Sequence, residues 1–189
     1  MAGRPRDLDL EQRLLSAAWA LLISKGYDAL TMSQVATQAE AHRTDVYRRW
    51  AGKAELATDA LAANLPPVRE FNAGSLRADL RAYVDDLAAV WSSPWIDGLV
   101  GLLGELRDGA EATFLSMASV RIQPLQHALA RAVERGEIEG EPDADLVADV
   151  IEGSLMHRRL IGRASFSPEY LDTLTRTAHY LLTGKAETP

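Results

Sequence analysis

Helical periodicity along nearly the whole chain is the feature that most constrains its fold. Apolar residues recur three and four positions apart in the long segments, as at 76, 80, 83, 84, 87, 90 and 91, which is the spacing of one face of an α-helix. No Asn-Gly or Asp-Gly pair lies between two alternating runs, as it would in a β-hairpin. The sequence therefore predicts an all-α fold of nine helices, of which three are short and lie near the N-terminus.

Capping residues and prolines indicate where these helices begin and end. Asp9 with Gln12, and Thr31 with Gln34, have the spacing of helix-capping pairs. Proline cannot donate a backbone hydrogen bond, so Pro66 ends the fourth helix. We expect helices over 10–25, 31–39, 43–50, 53–65, 75–91, 95–107, 111–135, 144–161 and from 168 to just before Gly184, with Pro124 kinking or splitting the seventh.

Composition excludes several classes of protein. The 189 residues include 47% hydrophobic and 25% charged residues, as in a folded globular protein. The chain has no cysteine, which excludes disulfides, thiolate zinc sites and cysteine nucleophiles. No apolar run approaches the ~18 residues of a membrane span, and the charged N-terminus lacks the apolar stretch of a signal peptide. We expect a soluble cytoplasmic protein with no membrane partner.

The formal net charge of −7 is unevenly distributed. Residues 1–53 carry a net charge of +2, whereas the remaining 136 residues carry −9. Such an asymmetry is typical of chains in which one part binds a polyanion and another part has a different role. An excess of two positive charges can also arise by chance. The positions of the basic residues must therefore decide whether residues 1–53 bind a polyanion.

Two of the short helices are separated by only three or four residues, around 40–42. Apolar residues able to pack between them suit a helix-turn-helix; they are Val35, Ala36, Ala39, Val46 and Trp50. The second of these helices carries Arg43, Thr44, Tyr47 and Arg48 largely along one side. Arginine and threonine can read base edges, and tyrosine and lysine commonly contact phosphate. A solvated polar face on an ordinary helical bundle explains the spacing equally well.

Four stretches add a more specific signal. They are LSAA at 15–18, KGYDALT at 25–31, VATQA at 35–39 and VYRRWAGKAEL at 46–56. In order and spacing they resemble the DNA-binding domain of the tetracycline-repressor (TetR) family of bacterial transcriptional regulators. The resemblance implies a three-helix helix-turn-helix domain over 1–53 and a six-helix ligand-binding and dimerisation domain over 54–189, connected by the helix at 53–65. It also implies a homodimer.

Position by position, the resemblance also implies a set of DNA contacts. The matching residues are Arg43, Thr44, Tyr47, Arg48 and Lys53, with Ser33 and His42 at phosphate or capping positions and Arg4 and Arg6 in an N-terminal arm. The chain departs from the family at Glu40, where glycine is usual in the turn, and at His42, where serine is usual. Glu40 is strained if its φ is positive, and Asp45 repels phosphate unless it faces away or accepts from a cytosine amino group.

The body offers candidates for ligand and subunit contacts. Trp91, Trp95, Phe114 and Met117 are expected to line an apolar cavity, with Arg121 or His127 orienting a polar group and Arg121 favoured for an anion. Aromatic residues at helical spacing more often form a plain helical core than a pocket. The last two helices carry apolar residues on more than one face, which predicts a four-helix dimer interface or a buried core helix.

No pattern indicates catalysis. The chain lacks nucleotide-binding, zinc-protease and nucleophile-elbow motifs, and its four histidines lack metal-ligand spacing. We therefore predict a non-enzymatic regulator without cofactor or metal. It binds a palindromic operator in double-stranded DNA as a homodimeric repressor and is released by a small molecule. A TetR-like activator, or a helical small-molecule binding protein without DNA function, is the alternative.

Overall fold

The computed structural model describes residues 8–185, and each regular element within that range is helical. Nine α-helices confirm the predicted all-α class. They are α1 (Leu8–Ala29), α2 (Met32–Gln38), α3 (Arg43–Tyr47), α4 (Lys53–Asn64), α5 (Leu76–Trp91), α6 (Ile96–Leu103), α7 (Asp108–Glu134), α8 (Ala144–Met156) and α9 (Pro168–Thr183).

Side-chain caps begin several of these helices, including α2, where the sequence predicted one. The Thr31 side chain accepts a hydrogen bond from Gln34 N–H, and the Gln34 side chain accepts one from Thr31 N–H, so the predicted capping box is present. Ser167 caps α9 ahead of a proline at its first position, and Gly184 ends that helix with φ 64°. Local sequence chemistry therefore determines both ends of α9.

Other boundaries differ from the predicted ones. α1 already includes Leu8, so Asp9 lies in its first turn, where it forms an ion pair with Arg13 at 3.2 Å and does not cap the helix. At the other end, Gly26 leaves helical geometry with φ 77°. α7 passes through Pro124 as one helix, so the predicted split does not occur. The last predicted turn of α8 is a π-helix over His157–Ile161, in which the hydrogen-bonding register is widened.

The described residues form two compact units. Unit 1 contains 8–66 and 94–118, and unit 2 contains 67–93 and 119–185. Unit 1 therefore holds α1–α4, α6 and the start of α7, and within it α6 packs against α1 and α4. Unit 2 holds α5, α8, α9 and the rest of α7. The predicted boundary between a DNA-binding domain (1–53) and a ligand-binding domain (54–189) is defined by function. The division into packed units does not test it, so it stays a prediction. No described helix is long and apolar enough to cross a bilayer.

A buried carboxylate organises the start of α5 in unit 2. Asp79 is fully buried and accepts a hydrogen bond of 2.6 Å from Ala73 N–H, and the Arg135 guanidinium lies 3.5 Å away. Arg135 also donates a hydrogen bond to the Glu137 carboxylate, which accepts a second hydrogen bond from Leu76 N–H at 2.7 Å. Burial alone would raise the pKa of Glu137, but the Leu76 N–H and the Arg135 guanidinium hold it below its ordinary value.

Replacing Asp79 by alanine should lower the free energy of unfolding by about 1–3 kcal/mol, because Ala73 N–H loses its acceptor and Arg135 loses a buried carboxylate partner. Urea denaturation of the two proteins measures this difference. Asp85 is the matched control, because it lies on the same helix but is exposed and pairs with Arg81. Its replacement should cost about 0–1 kcal/mol. Equal costs at both positions would contradict the role given to Asp79.

Candidate nucleic-acid interface and ligand site

The connection between α2 and α3 is a tight turn over 39–42. Ala39 N–H donates to Val35 O at 2.9 Å and Ala41 N–H to Ala36 O at 2.9 Å, which closes the end of α2. Between them, Glu40 adopts φ 51°, a left-handed conformation that L-residues other than glycine and asparagine rarely take. The strain anticipated from the sequence at this position is therefore present.

Buried apolar side chains hold the two short helices together, as predicted. The five residues named for this role are all buried; they are Val35, Ala36, Ala39, Val46 and Trp50. Two hydrogen bonds add to the packing. Arg13 of α1 donates to Ala39 O at 2.9 Å, and Trp50 Nε1 donates to Asp59 Oδ2 of α4 at 2.8 Å. The helix-turn-helix is thus anchored to the helices on either side of it.

The outer side of α3 is polar and exposed. Arg43, Thr44, Tyr47 and Arg48 are all exposed there, and His42 precedes them at the N-cap position, where its side chain makes no capping hydrogen bond. Arg43 Nη2 donates to Tyr47 Oη at 3.1 Å, and its guanidinium lies 5.3 Å from the Tyr47 ring centroid. This contact holds both side chains over one turn of the helix.

Asp45 does not leave an uncompensated negative charge on α3. Its carboxylate lies 2.7 Å from Arg48 Nη2, and only 18% of the Asp45 side chain is exposed. The pair spans i to i+3, the distance at which side chains on one helical face meet. The repulsion of phosphate expected from Asp45 is therefore reduced by Arg48 in the free protein.

The remaining predicted DNA contacts lie on other elements. Ser33 is half-buried at the second position of α2, where Thr31 and not Ser33 supplies the cap. Lys53 is the first residue of α4, and its Nζ lies 4.0 Å from the Tyr27 ring centroid. Arg4 and Arg6 lie outside the described residues.

Three of the predicted ligand residues belong to unit 2. Trp91 is buried on α5. Arg121 lies 3.7 Å from Asp86, with 17% and 27% of their side chains exposed. Burial raises the pKa of Tyr83 and of Glu152, and Arg121 lies close enough to oppose both shifts. These four polar groups (Tyr83, Asp86, Arg121 and Glu152) form one cluster, called here the Arg121 cluster.

His127, the third of these residues, lies on the surface. Its ring Nδ1 is 3.0 Å from Glu70 Oε1, and more than half of each side chain is exposed. The contact is a solvent-exposed pair, which contributes little to stability. Orientation of a polar ligand group by His127 stays a prediction.

The other three ligand candidates belong to unit 1. Trp95 is buried, and its ring centroid lies 6.0 Å from that of Trp19, whereas Phe114 and Met117 are half-buried on α7. A cleft of about 480 Å³ in this unit is lined by residues of α1 and α6, including Tyr27, Asp28 and Asp97. A groove of about 730 Å³ in unit 2 lies along α7, the 140–143 loop and the first residues of α8. Neither of these two clefts is lined by the predicted ligand residues.

Known protein families match both the N-terminal and the C-terminal part of the chain. The family described as "Bacterial regulatory proteins, tetR family" matches residues 14–60, and "Tetracyclin repressor-like, C-terminal domain" matches residues 72–178, more than half of the chain. The chain belongs to the TetR family. It is a DNA-binding transcriptional regulator of a family that responds to ligands.

Individual relatives agree with this assignment. The TetR-family chain is 35% identical over 154 residues to a DNA-binding transcriptional repressor TetR of Mycobacteroides abscessus, covering 79% of this chain and 81% of the relative. It is 29% identical over 185 residues to the transcriptional regulator YdeS of Bacillus subtilis, with 93% and 91% covered. The crystal structure of the TetR-family regulator SCO0332 shares its fold, with a TM-score of 0.69, 23% identity, and 96% and 100% covered.

Two polar residues of unit 1 were not identified from the sequence of this TetR-family chain. Tyr27 lies in one of the stretches that resemble the family, but its contact with Lys53 joins residues 26 positions apart. Glu105 accepts a hydrogen bond from the Tyr27 hydroxyl across 78 positions. No local pattern encodes such distant pairs, which the packing of α4 and α6 against α1 brings together.

Replacing Glu40 by glycine should raise the free energy of unfolding by about 0.5–1 kcal/mol, because glycine takes a positive φ without steric cost. Chemical denaturation measures the change. The control is Gln38→Gly, two residues earlier in α2, which should lower stability by about 0.5–1 kcal/mol because glycine disfavours helix. Destabilisation by both substitutions would show that the left-handed turn imposes no strain.

Proposed function

We propose that this TetR-family chain is a homodimeric repressor that binds a palindromic operator and is released from it by a small molecule. The observation that carries the DNA-binding part is the exposed polar row on α3 of a well-packed helix-turn-helix. Arg43 can pair with guanine O6 and N7 in the major groove, and Thr44 can contact a base edge or a thymine methyl group. Lys53, at the start of α4, serves as a phosphate contact.

The charge distribution supports a directed contact with DNA. Residues 1–53 carry +2, whereas the remainder of the chain carries −9. An acidic body opposes non-specific wrapping by duplex DNA, so contact is confined to the helix-turn-helix side. For two such units to engage one palindrome, their centres must lie about 34–36 Å apart, one turn of the duplex.

Exposed apolar residues on the last two helices support the homodimer. Leu146 and Met156 of α8 are 53% and 41% exposed, and Tyr180 and Leu181 of α9 are 52% and 49% exposed. A Cβ built at Gly153 of α8 would meet no atom within 4 Å, which leaves that position open to a close neighbour. A second copy of the chain would cover these side chains in a four-helix interface.

The Arg121 cluster supports the ligand-binding part of the proposal and narrows the ligand. Arg121 can donate several hydrogen bonds, but Asp86 and Glu152 beside it carry carboxylates. A fully charged anion would be repelled by these two groups, whereas a neutral ligand with a carbonyl or hydroxyl oxygen would accept from Arg121. We therefore propose a largely apolar, uncharged ligand in place of the anion expected from the sequence.

Ligand binding would act on DNA affinity through the dimer. A ligand changes an equilibrium only by its different affinity for the two forms. A ligand that binds better to a dimer with altered spacing of the helix-turn-helix units lowers operator affinity. α4 is continuous in sequence with the DNA-binding region, and we assign it the connecting role in this change.

Arg43→Ala should weaken binding to a duplex selected from a random-sequence pool by about 1–3 kcal/mol, and much less on unrelated duplexes, because a base contact is lost. Lys53→Ala should weaken binding to all duplexes alike and reduce the slope of log K against log salt by about one. Fluorescence anisotropy across a salt series measures both effects. Arg69→Ala, an exposed change in unit 2, is the control. Wild-type binding by both variants would refute the proposed DNA contacts.

Arg121→Met should retain the DNA affinity of the free protein but lose release by a small molecule. The compound is first found by thermal shift against a library of uncharged and ionised molecules, and operator binding is then measured with and without it. Arg81→Met is the control, because Arg81 is an ion-paired arginine on the surface of α5, and it should keep the response. Release that is unchanged in Arg121→Met would place the ligand elsewhere.

A further inference from the structure

Lys53 is held against an aromatic ring that the DNA-binding argument does not use. Its Nζ lies 4.0 Å from the centroid of the Tyr27 ring, well within the range of a cation–π interaction. Tyr27 is 1% exposed, so its ring is fixed by the core of unit 1. Lys53 itself is half-buried at the first position of α4. The position of its ammonium group is therefore defined by Tyr27.

The Tyr27 hydroxyl is held in turn by the segment that follows α6. It donates a hydrogen bond of 2.6 Å to Glu105 Oε2. Burial, and then this hydrogen bond, raise the pKa of Tyr27 above its ordinary value. The Glu105 carboxylate also places negative charge beside the phenol, which strengthens the attraction of a cation to that ring.

α6 approaches Tyr27 closely enough to fix the ring from a second side. A Cβ built at Gly101 would lie 2.6 Å from Asp28 Oδ1 and 3.0 Å from Tyr27 Cδ1. Any larger residue at position 101 would require the Asp28 carboxylate to move and would press on the Tyr27 ring. Both the ring and the hydroxyl of Tyr27 thus depend on residues 94–118.

We propose that Tyr27 and Glu105 are positioning residues that hold Lys53 Nζ ready for a DNA phosphate, an inference that rests on the proposed DNA contact of Lys53. A lysine side chain in solution occupies many rotamers and loses that freedom on binding. A ring contact restricts the side chain beforehand, so less freedom is lost when phosphate binds. The ring occupies one side of the ammonium group and leaves N–H donors for the phosphate.

A double-mutant cycle on the full chain tests the inference with the selected duplex as probe. Tyr27→Leu should reduce affinity about two- to fivefold in the wild-type background, the range of a cation–π contact, and should have no further effect in the Lys53→Ala background. Tyr27→Phe and Glu105→Ala should each produce a smaller loss and should not add to one another. Glu111→Ala removes an exposed carboxylate from the start of α7 and is the matched control for the change in charge.

A spectroscopic readout is independent of DNA. The chain has three lysines, Lys25, Lys53 and Lys185, and the Tyr27 ring current should shift the Lys53 Hε resonance upfield of the other two. The shift should disappear in Tyr27→Leu and persist in Tyr27→Phe, which keeps the ring. A Lys53 resonance that is the same in wild type and Tyr27→Leu would overturn the inference.

The possible outcomes separate this inference from the proposed function. In one outcome, Lys53→Ala lowers both the DNA affinity and the salt slope, but the Tyr27 and Glu105 substitutions reduce affinity equally with Lys53 present and with Lys53→Ala. Lys53 then contacts DNA but is not positioned by Tyr27 and Glu105. Wild-type affinity and slope in Lys53→Ala would refute the phosphate contact itself. If thermal melting shows that Tyr27→Leu is unfolded, the inference is tested by the DNA affinities of Tyr27→Phe and Glu105→Ala, each measured with and without Lys53→Ala.

Discussion

The surface proposed to read DNA depends on tertiary packing, because the two helices that form it, α2 and α3, are too short to be stable alone. α2 and α3 contain seven and five residues, well below the ~12–15 residues at which isolated helices become even marginally stable in water. Burial of Val46 and Trp50 offsets the cost of ordering α3, and the hydrogen bond from Arg13 to Ala39 O fixes the turn before it. The geometry of the exposed arginines follows from these buried contacts.

The cationic groups of the helix-turn-helix unit are already held in the free protein. Arg48 pairs with Asp45, Arg43 contacts Tyr47, and Lys53 lies over Tyr27. Each contact restricts a long side chain in the free protein, so less side-chain freedom would be lost if these groups bind DNA as proposed. Although residues 1–53 carry a net charge of only +2, the cationic groups of Arg43, Arg48 and Lys53 thus have defined positions.

Unit 2 uses charge in a different way, because Asp79 is buried and the carboxylates of Asp86 and Glu152 are half-buried. Asp79 accepts from Ala73 N–H at the start of α5, and the Arg121 cluster combines two carboxylates with one guanidinium and a phenol. Burial makes such groups sensitive to their neighbours, since an unpaired charge is costly in a poorly hydrated environment. This cost favours the paired arrangement around Asp79, and it is the basis for the proposed preference of the Arg121 cluster for an uncharged ligand.

Most of the helices, their caps and the helix-turn-helix could be predicted because their signals are local. The Thr31 capping box, the Ser167-Pro168 start of α9 and the strained turn at Glu40 each depend on residues within a few positions. The π-helical end of α8 was not predicted, because apolar spacing does not distinguish its widened register from an α-helix.

The sequence by itself determined the all-α class, the family and the polar row on α3, since periodicity, capping and motif spacing act over short stretches. Only the tertiary structure decided that Arg121 lies among carboxylates and that Glu105 and Lys53 meet at Tyr27. These contacts join distant parts of the chain and depend on how helices pack, including the close approach that Gly101 permits. Packing of distant helices is a property of the whole core, which no short stretch of sequence specifies.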